Sequence, residues 1–188
     1  MMVQLPAKIN FILKRNNENS SQLQSLGGHN CAGAVLSPWW VISTGLCAQT
    51  DDDLDHDHFT LVAGEWDLAS NDNTEQVRHV DRVFTHPYFS AEQGADIALI
   101  RLNESLVLGD YVQSVQLSEL GSSFTDVTCV ESGWSQLGGH MKLQFAETTV
   151  RDDEECAGNS NTGPMGFGTM CAGEGASGGT CLCKVCIH

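Results

Sequence analysis

The sequence ends in "GGTCLCKVCIH", which places Cys181, Cys183, Cys186 and His188 within a few residues of one another. Thiolates and an imidazole at this density are soft donors of the kind that hold zinc or copper. The spacing is tight for one tetrahedral ion. In an extended segment Cys181 and Cys183 point to opposite faces, and structural zinc draws its ligands from two separate knuckles. Residues 51–58, "DDDLDHDH", pair His56 with His58 among five Asp. No further ligand stands at helical or hairpin spacing, so this stretch reads as a solvated, like-charged loop.

The elements that must carry such residues are strands. Apolar and polar positions alternate in "KINFIL", and "NCAGAVL" runs through a Ser37-Pro38 turn into "WWVIS". "HFTLVAGEW", "QVRHVDRVFT", "DIALIRL" and "DVTCVESGW" follow, rich in Val, Ile, Thr and aromatic residues, with Gly, Asn, Asp and Ser between them. The segment "DYVQSVQLSEL" is the nearest to a helical stripe and reads equally well as an extended connection. Many short strands with turn chemistry between them predict an all-β barrel or sandwich. Apolar density drops near residues 110–125, a soft internal boundary.

The chain has 188 residues, 41% of them hydrophobic, and carries 24 Asp plus Glu against 9 Lys plus Arg, a formal charge of −15. That balance excludes nucleic acid as a partner, since phosphate contacts need clustered cations. No stretch approaches the roughly 20 apolar residues of a membrane span. Eight cysteines favour an exported protein, although "MMVQLPAKINFILKR" does not read as a signal peptide.

Four motifs in order carry a resemblance. "HNCAGAVLSPWWVISTGLC" resembles the Cys-Gly-Gly hairpin that ends in Ala-Ala-His-Cys in the trypsin/chymotrypsin-like serine proteases. "GADIALIRL" resembles the strand bearing that family's triad aspartate, and "TCVESGWSQ" the Cys-x-x-x-Gly-Trp-Gly opening of its second barrel. "MCAGEGASGGTC" resembles the approach to its nucleophile loop. The resemblance implies one domain over residues 1–188, made of two packed antiparallel Greek-key six-stranded β-barrels of chymotrypsin type. The first would span about residues 5–115, a partial second barrel about 120–182, and a divergent tail 183–188.

The family's chemistry needs a Ser hydroxyl as nucleophile, a His as its base and an Asp to orient that His. By the resemblance Asp96 is the aspartate and the only triad member retained. Leu46 stands at the His position, where no ionisable group is left to act as base. Cys183, Lys184 and Val185 stand where Gly-Asp-Ser would be, so Val185 occupies the Ser position. Gly179 falls at the base of the specificity pocket and carries no charge, which would favour an apolar residue over Lys or Arg.

The same resemblance implies disulfides Cys31–Cys47 and Cys156–Cys171, each closing a loop worth roughly 3 kcal/mol in the chain-entropy model. It assigns no partners to Cys129, Cys181, Cys183 and Cys186, and their pairing stays open. It also maps a candidate calcium loop onto "GEWDLASNDNTEQ": carboxylates from Glu65, Asp72 and Glu75, backbone carbonyls from Asp67 and Ser70. No cofactor is required otherwise.

The leading expectation is a secreted, non-catalytic serine-protease homologue that binds protein partners of a secreted cascade or protease-inhibitor type. One alternative is a serine endopeptidase whose true chain is longer, this one being truncated or mis-spliced; Val185-Cys186 is encodable as GTATGT, which reads like the start of an intron. A second alternative is zinc binding through the Cys-rich tail.

Overall fold

In strand β6 (Ala98–Leu102), Ala98, Ile100 and Leu102 are buried while Leu99 and Arg101 face out. This period-two alternation is that of a strand with one wet face. Strands β2 (His29–Ser37), β3 (Trp40–Ser43), β4 (Phe59–Ala63) and β5 (Gln76–Thr85) accompany it, and in β3 and β4 burial runs continuously over Val41–Ser43 and Leu61–Ala63. Strand β1 (Phe11–Arg15) precedes them, and β7 (Thr128–Gly133) and β8 (Gln144–Thr149) follow. One helical turn, α1 (Gly45–Ala48), follows β3. The computed structural model describes residues 11–15, 29–48, 59–90, 94–134, 142–154 and 170–172.

The first six strands close into an antiparallel barrel in the order β1-β2-β3-β6-β5-β4. Strand β1 completes the ring, pairing Ile12 with Ala32 on β2 and with Val62 on β4. Inside sit Val35, Val41, Leu61, Ala63, Val80, Ile100 and Leu102. The connection after β6 folds back to join them. The Leu106 N–H donates to the Pro38 carbonyl and the Val115 N–H to the Val35 carbonyl, each at 2.8 Å, and both Leu106 and Val112 are buried. The "DYVQSVQLSEL" segment is therefore an extended connection rather than a helix.

Strands β7 and β8 form a two-stranded sheet. Among the described residues it meets the barrel at Trp66, whose carbonyl accepts from the Leu143 N–H at 2.8 Å and the Trp134 indole N–H at 3.2 Å, and at a bridge between Asp67 and Lys142. Trp134 and Leu143 pack together, with Leu68 against them.

A six-stranded barrel followed by an incomplete second one was expected, and the described residues hold one closed six-stranded barrel and a two-stranded sheet. One expectation needs correction. The expected disulfides Cys31–Cys47 and Cys156–Cys171 are withdrawn as features of the described fold, because no disulfide joins two described side chains. Cys47 and Cys171 are in disulfide form and do not titrate. The Cys31 side chain and all of Cys156, however, lie outside the described residues.

Leu61 is completely shielded from solvent at the barrel centre. Truncation to alanine loses transfer energy and leaves a cavity that rigid neighbouring strands cannot fill. We expect Leu61→Ala to cost about 3 kcal/mol, read as a lower urea midpoint with unchanged slope.

Candidate functional site

Residues 46 and 96 meet because β3 and β6 pair, with Ser43 opposite Ala98. Beyond Ser43 the chain makes the α1 turn, whose first N–H groups need acceptors from outside the helix. Thr44 caps it: its hydroxyl oxygen accepts the Cys47 N–H at 3.1 Å. A second acceptor arrives from across the sheet. Asp96 Oδ1 takes the Leu46 N–H at 2.8 Å. Gly45 packs against Phe89, and a side chain there would sit 2.9 Å from that ring.

Asp96 itself is half-buried and is aimed by strained backbone. Ala95 has a φ of 52°, and the Ile97 N–H donates to the Ala95 carbonyl at 2.9 Å, folding a tight turn around Asp96. The Leu46 side chain stands outside, 52% exposed. Its isobutyl group neither accepts nor releases a proton, so what these two residues offer is a carboxylate and a main-chain N–H.

The second constellation is acidic. Glu65, Asp72 and Glu75 bring one carboxylate oxygen each to within 4.8 Å of one another. Oxygens sharing one calcium at bonds of about 2.3–2.6 Å lie no farther apart than roughly twice that length, so these three are close enough to serve one hard cation. Glu65 is 7% exposed, which gives the cluster a dry inner wall. The loop between them is held by its own polar groups. Thr74 Oγ1 donates to the Gly64 carbonyl at 2.8 Å, and Gly64, at φ 78°, could not carry a side chain without meeting the Thr74 carbonyl. Asp67 and Ser70, expected to offer carbonyls, take part in the turn. The Asp67 carbonyl accepts the Ser70 N–H at 3.0 Å, and the Ser70 hydroxyl donates to Asp72 Oδ1 at 3.3 Å.

Burial works against the charge on Glu75. The backbone N–H groups of Asp72, Glu75, Thr74 and Asn73 outweigh it and hold the carboxyl below its ordinary value. Two of these bonds are short, from Asp72 at 2.7 Å and from Thr74 at 2.9 Å.

The other expected site residues, Cys156, Gly179 and Val185, and the cluster Cys181, Cys183, Cys186 and His188, lie outside the described residues, as do His56 and His58. Sequence reasoning missed the α1 turn. Thr44 before "GLC", a capping residue three positions ahead of Cys47, is the signal that could have found it.

With this geometry in place, comparison with known proteins assigns the family. The Trypsin family profile matches residues 12–186. The chain belongs to the trypsin family. It is 33% identical over 184 residues to chymotrypsin-like elastase family member 1 of Macaca fascicularis, covering 87% of this chain and 67% of that protein. The human protein of the same description is 32% identical over 84% of this chain and 66% of its own length. Proproteinase E of Bos taurus is 34% identical over 69% of this chain and 53% of its own. The chain thus spans about two thirds or less of the length of these relatives.

Two outcomes follow. Asp96→Asn keeps an acceptor oxygen for the Leu46 N–H, whereas Asp96→Ala removes it. The alanine variant should be about 1 kcal/mol less stable than the asparagine variant in urea unfolding. The depressed Glu75 carboxyl, charged in the fold before it would be charged in the unfolded chain, stabilises above the ordinary glutamate pKa. That contribution is lost as pH falls through the folded value. The melting temperature should therefore drop on acidification below the ordinary glutamate range, and Glu75→Gln should flatten that drop.

Proposed function

We propose that this trypsin-family chain is a non-catalytic homologue that acts by binding protein partners outside the cell, of the secreted cascade or protease-inhibitor type. The observation that carries the reading is the Leu46–Asp96 pair. A carboxylate in the triad-aspartate position bonds the backbone of residue 46, and residue 46 supplies no imidazole. The sequence adds Val185 at the nucleophile position. A Ser-His-Asp mechanism needs the His to take the proton as the hydroxyl attacks, so the chain lacks both base and nucleophile for peptide hydrolysis. We further propose that the chain is a single trypsin-like domain, with about residues 5–115 as the first barrel, 120–182 as part of the second and 183–188 as its divergent tail.

The experiment is an amidase assay on the purified full chain, with chromogenic peptides bearing apolar, basic and acidic residues before the scissile bond. A fluorophosphonate that labels activated serines is run alongside. We expect no turnover and no label, with Leu46→His equally silent. Turnover that the fluorophosphonate abolishes would reject the reading.

A second reading is favoured by the identity to chymotrypsin-like elastases. In it a longer product of the same gene is a serine endopeptidase, and uncharged Gly179 at the pocket base selects apolar residues. Transcript sequencing past the codon for Val185 decides: continuation into Gly-Asp-Ser-Gly-Gly supports this reading, and its absence removes it.

Calcium fits the Glu65, Asp72 and Glu75 cluster as a structural ion, offsetting two of its three negative charges and fixing the loop beside Trp66. Asp67 and Ser70 carbonyls would complete the oxygen set. Extracellular calcium sites bind at about 0.1–1 mM. A tenfold excess over Kd should stabilise the fold by about 1.4 kcal/mol, read as a higher melting temperature. Glu65→Gln should remove that gain; no shift with the parent chain would reject calcium.

A further inference from the structure

We propose that Asn103 is an attachment site for an N-linked glycan. Residues Asn103-Glu104-Ser105 form an Asn-x-Ser acceptor triplet with no proline at the middle position. The triplet falls on the bend directly after β6, with Asn103 and Glu104 exposed.

The hydrogen bonding suits modification at one atom only. The Asn103 backbone N–H donates to the His79 carbonyl at 3.0 Å, and its side-chain Oδ1 accepts the His79 N–H at 3.2 Å. The oxygen branch of the amide is thus turned toward β5. The Nδ2 branch makes no hydrogen bond among the described residues. After the bend the chain is tethered, by Arg78 Nε donating to the Ser105 carbonyl at 2.9 Å and by buried Leu106 bonded to Pro38. Glycosylation replaces one hydrogen of Nδ2 and leaves Oδ1 its lone pairs, so every bond seen here survives it.

The donor would be a lipid-linked oligosaccharide of the secretory pathway. The Nδ2–C1 bond forms, the C1–O bond to the polyprenyl pyrophosphate breaks, Nδ2 gives up one proton to base, and the polyprenyl pyrophosphate departs. Placement keeps the glycan clear of the Leu46–Asp96 pair. Asp96 precedes β6 and Asn103 follows it, and at about 3.3 Å per residue they stand roughly 20 Å apart along the strand.

The test expresses the full chain behind a secretion leader in cultured animal cells. The leader makes the outcome independent of the protease and partner readings. The sequence's other acceptor triplet, Asn19-Ser20-Ser21, lies outside the described residues and is silenced with Asn19→Gln. We expect the secreted protein to carry a glycan that peptide-N-glycosidase removes, converting Asn103 to Asp in its peptide. Asn103→Gln and Ser105→Ala should each lose the glycan completely, and Ser105→Thr should keep it. An unmodified Asn103 peptide from the secreted parent chain overturns the proposal. That peptide decides the matter even where a variant fails to be secreted.

Discussion

Barrel closure is the constraint on which the other features rest. A sheet has an edge wherever a strand lacks a partner, and β1 removes two edges at once by pairing with both β2 and β4. Once the ring is closed, its interior has fixed width, and Leu61, Ile100, Val41 and Val35 must fill it without voids. The ends need covering too, which is why the connection after β6 returns to bond Pro38 and Val35 and to bury Val112. Closure also fixes which loops are neighbours. Pairing of β3 with β6 brings together residues fifty apart in sequence, Leu46 and Asp96.

The Leu46–Asp96 contact does not depend on the type of side chain at residue 46. The bond runs from main-chain N–H to carboxylate, and a backbone donor is the same whichever side chain the residue bears. Asp96 therefore has structural work, satisfying a donor of a short helical turn that Thr44 alone leaves incomplete. The strain at Ala95 is spent on holding it there.

The acidic loop shows a related balance. Three carboxylates within 4.8 Å repel one another, and their closeness has to be held by other bonds. Backbone N–H groups converging on Glu75, the Thr74 bond to Gly64 and the Ser70 bond to Asp72 supply them. The loop begins beside Trp66, whose carbonyl receives both hydrogen bonds from the second sheet. A change in the charge of the loop is therefore felt at the junction between barrel and sheet.

The sequence alone determined the strands whose alternation is strong, and "QVRHVDRVFT" coincides with β5 residue for residue. It determined the family, because motif order and cysteine spacing are local in the chain. It also located the three acids, which lie within eleven residues of one another. It missed β8, since "QFAETT" has little apolar alternation and pairs with β7 across a long sequence gap. It missed α1, whose four residues are too few for a periodic signal. Tertiary structure decided that the "DYVQSVQLSEL" connection is extended, because Val112 fills the barrel end only in that form. It decided as well that Asp96 meets the backbone of residue 46, and that the side chain of Leu46 points to solvent. Those facts depend on strand pairing and closure, which join residues distant in sequence and which local pattern does not encode.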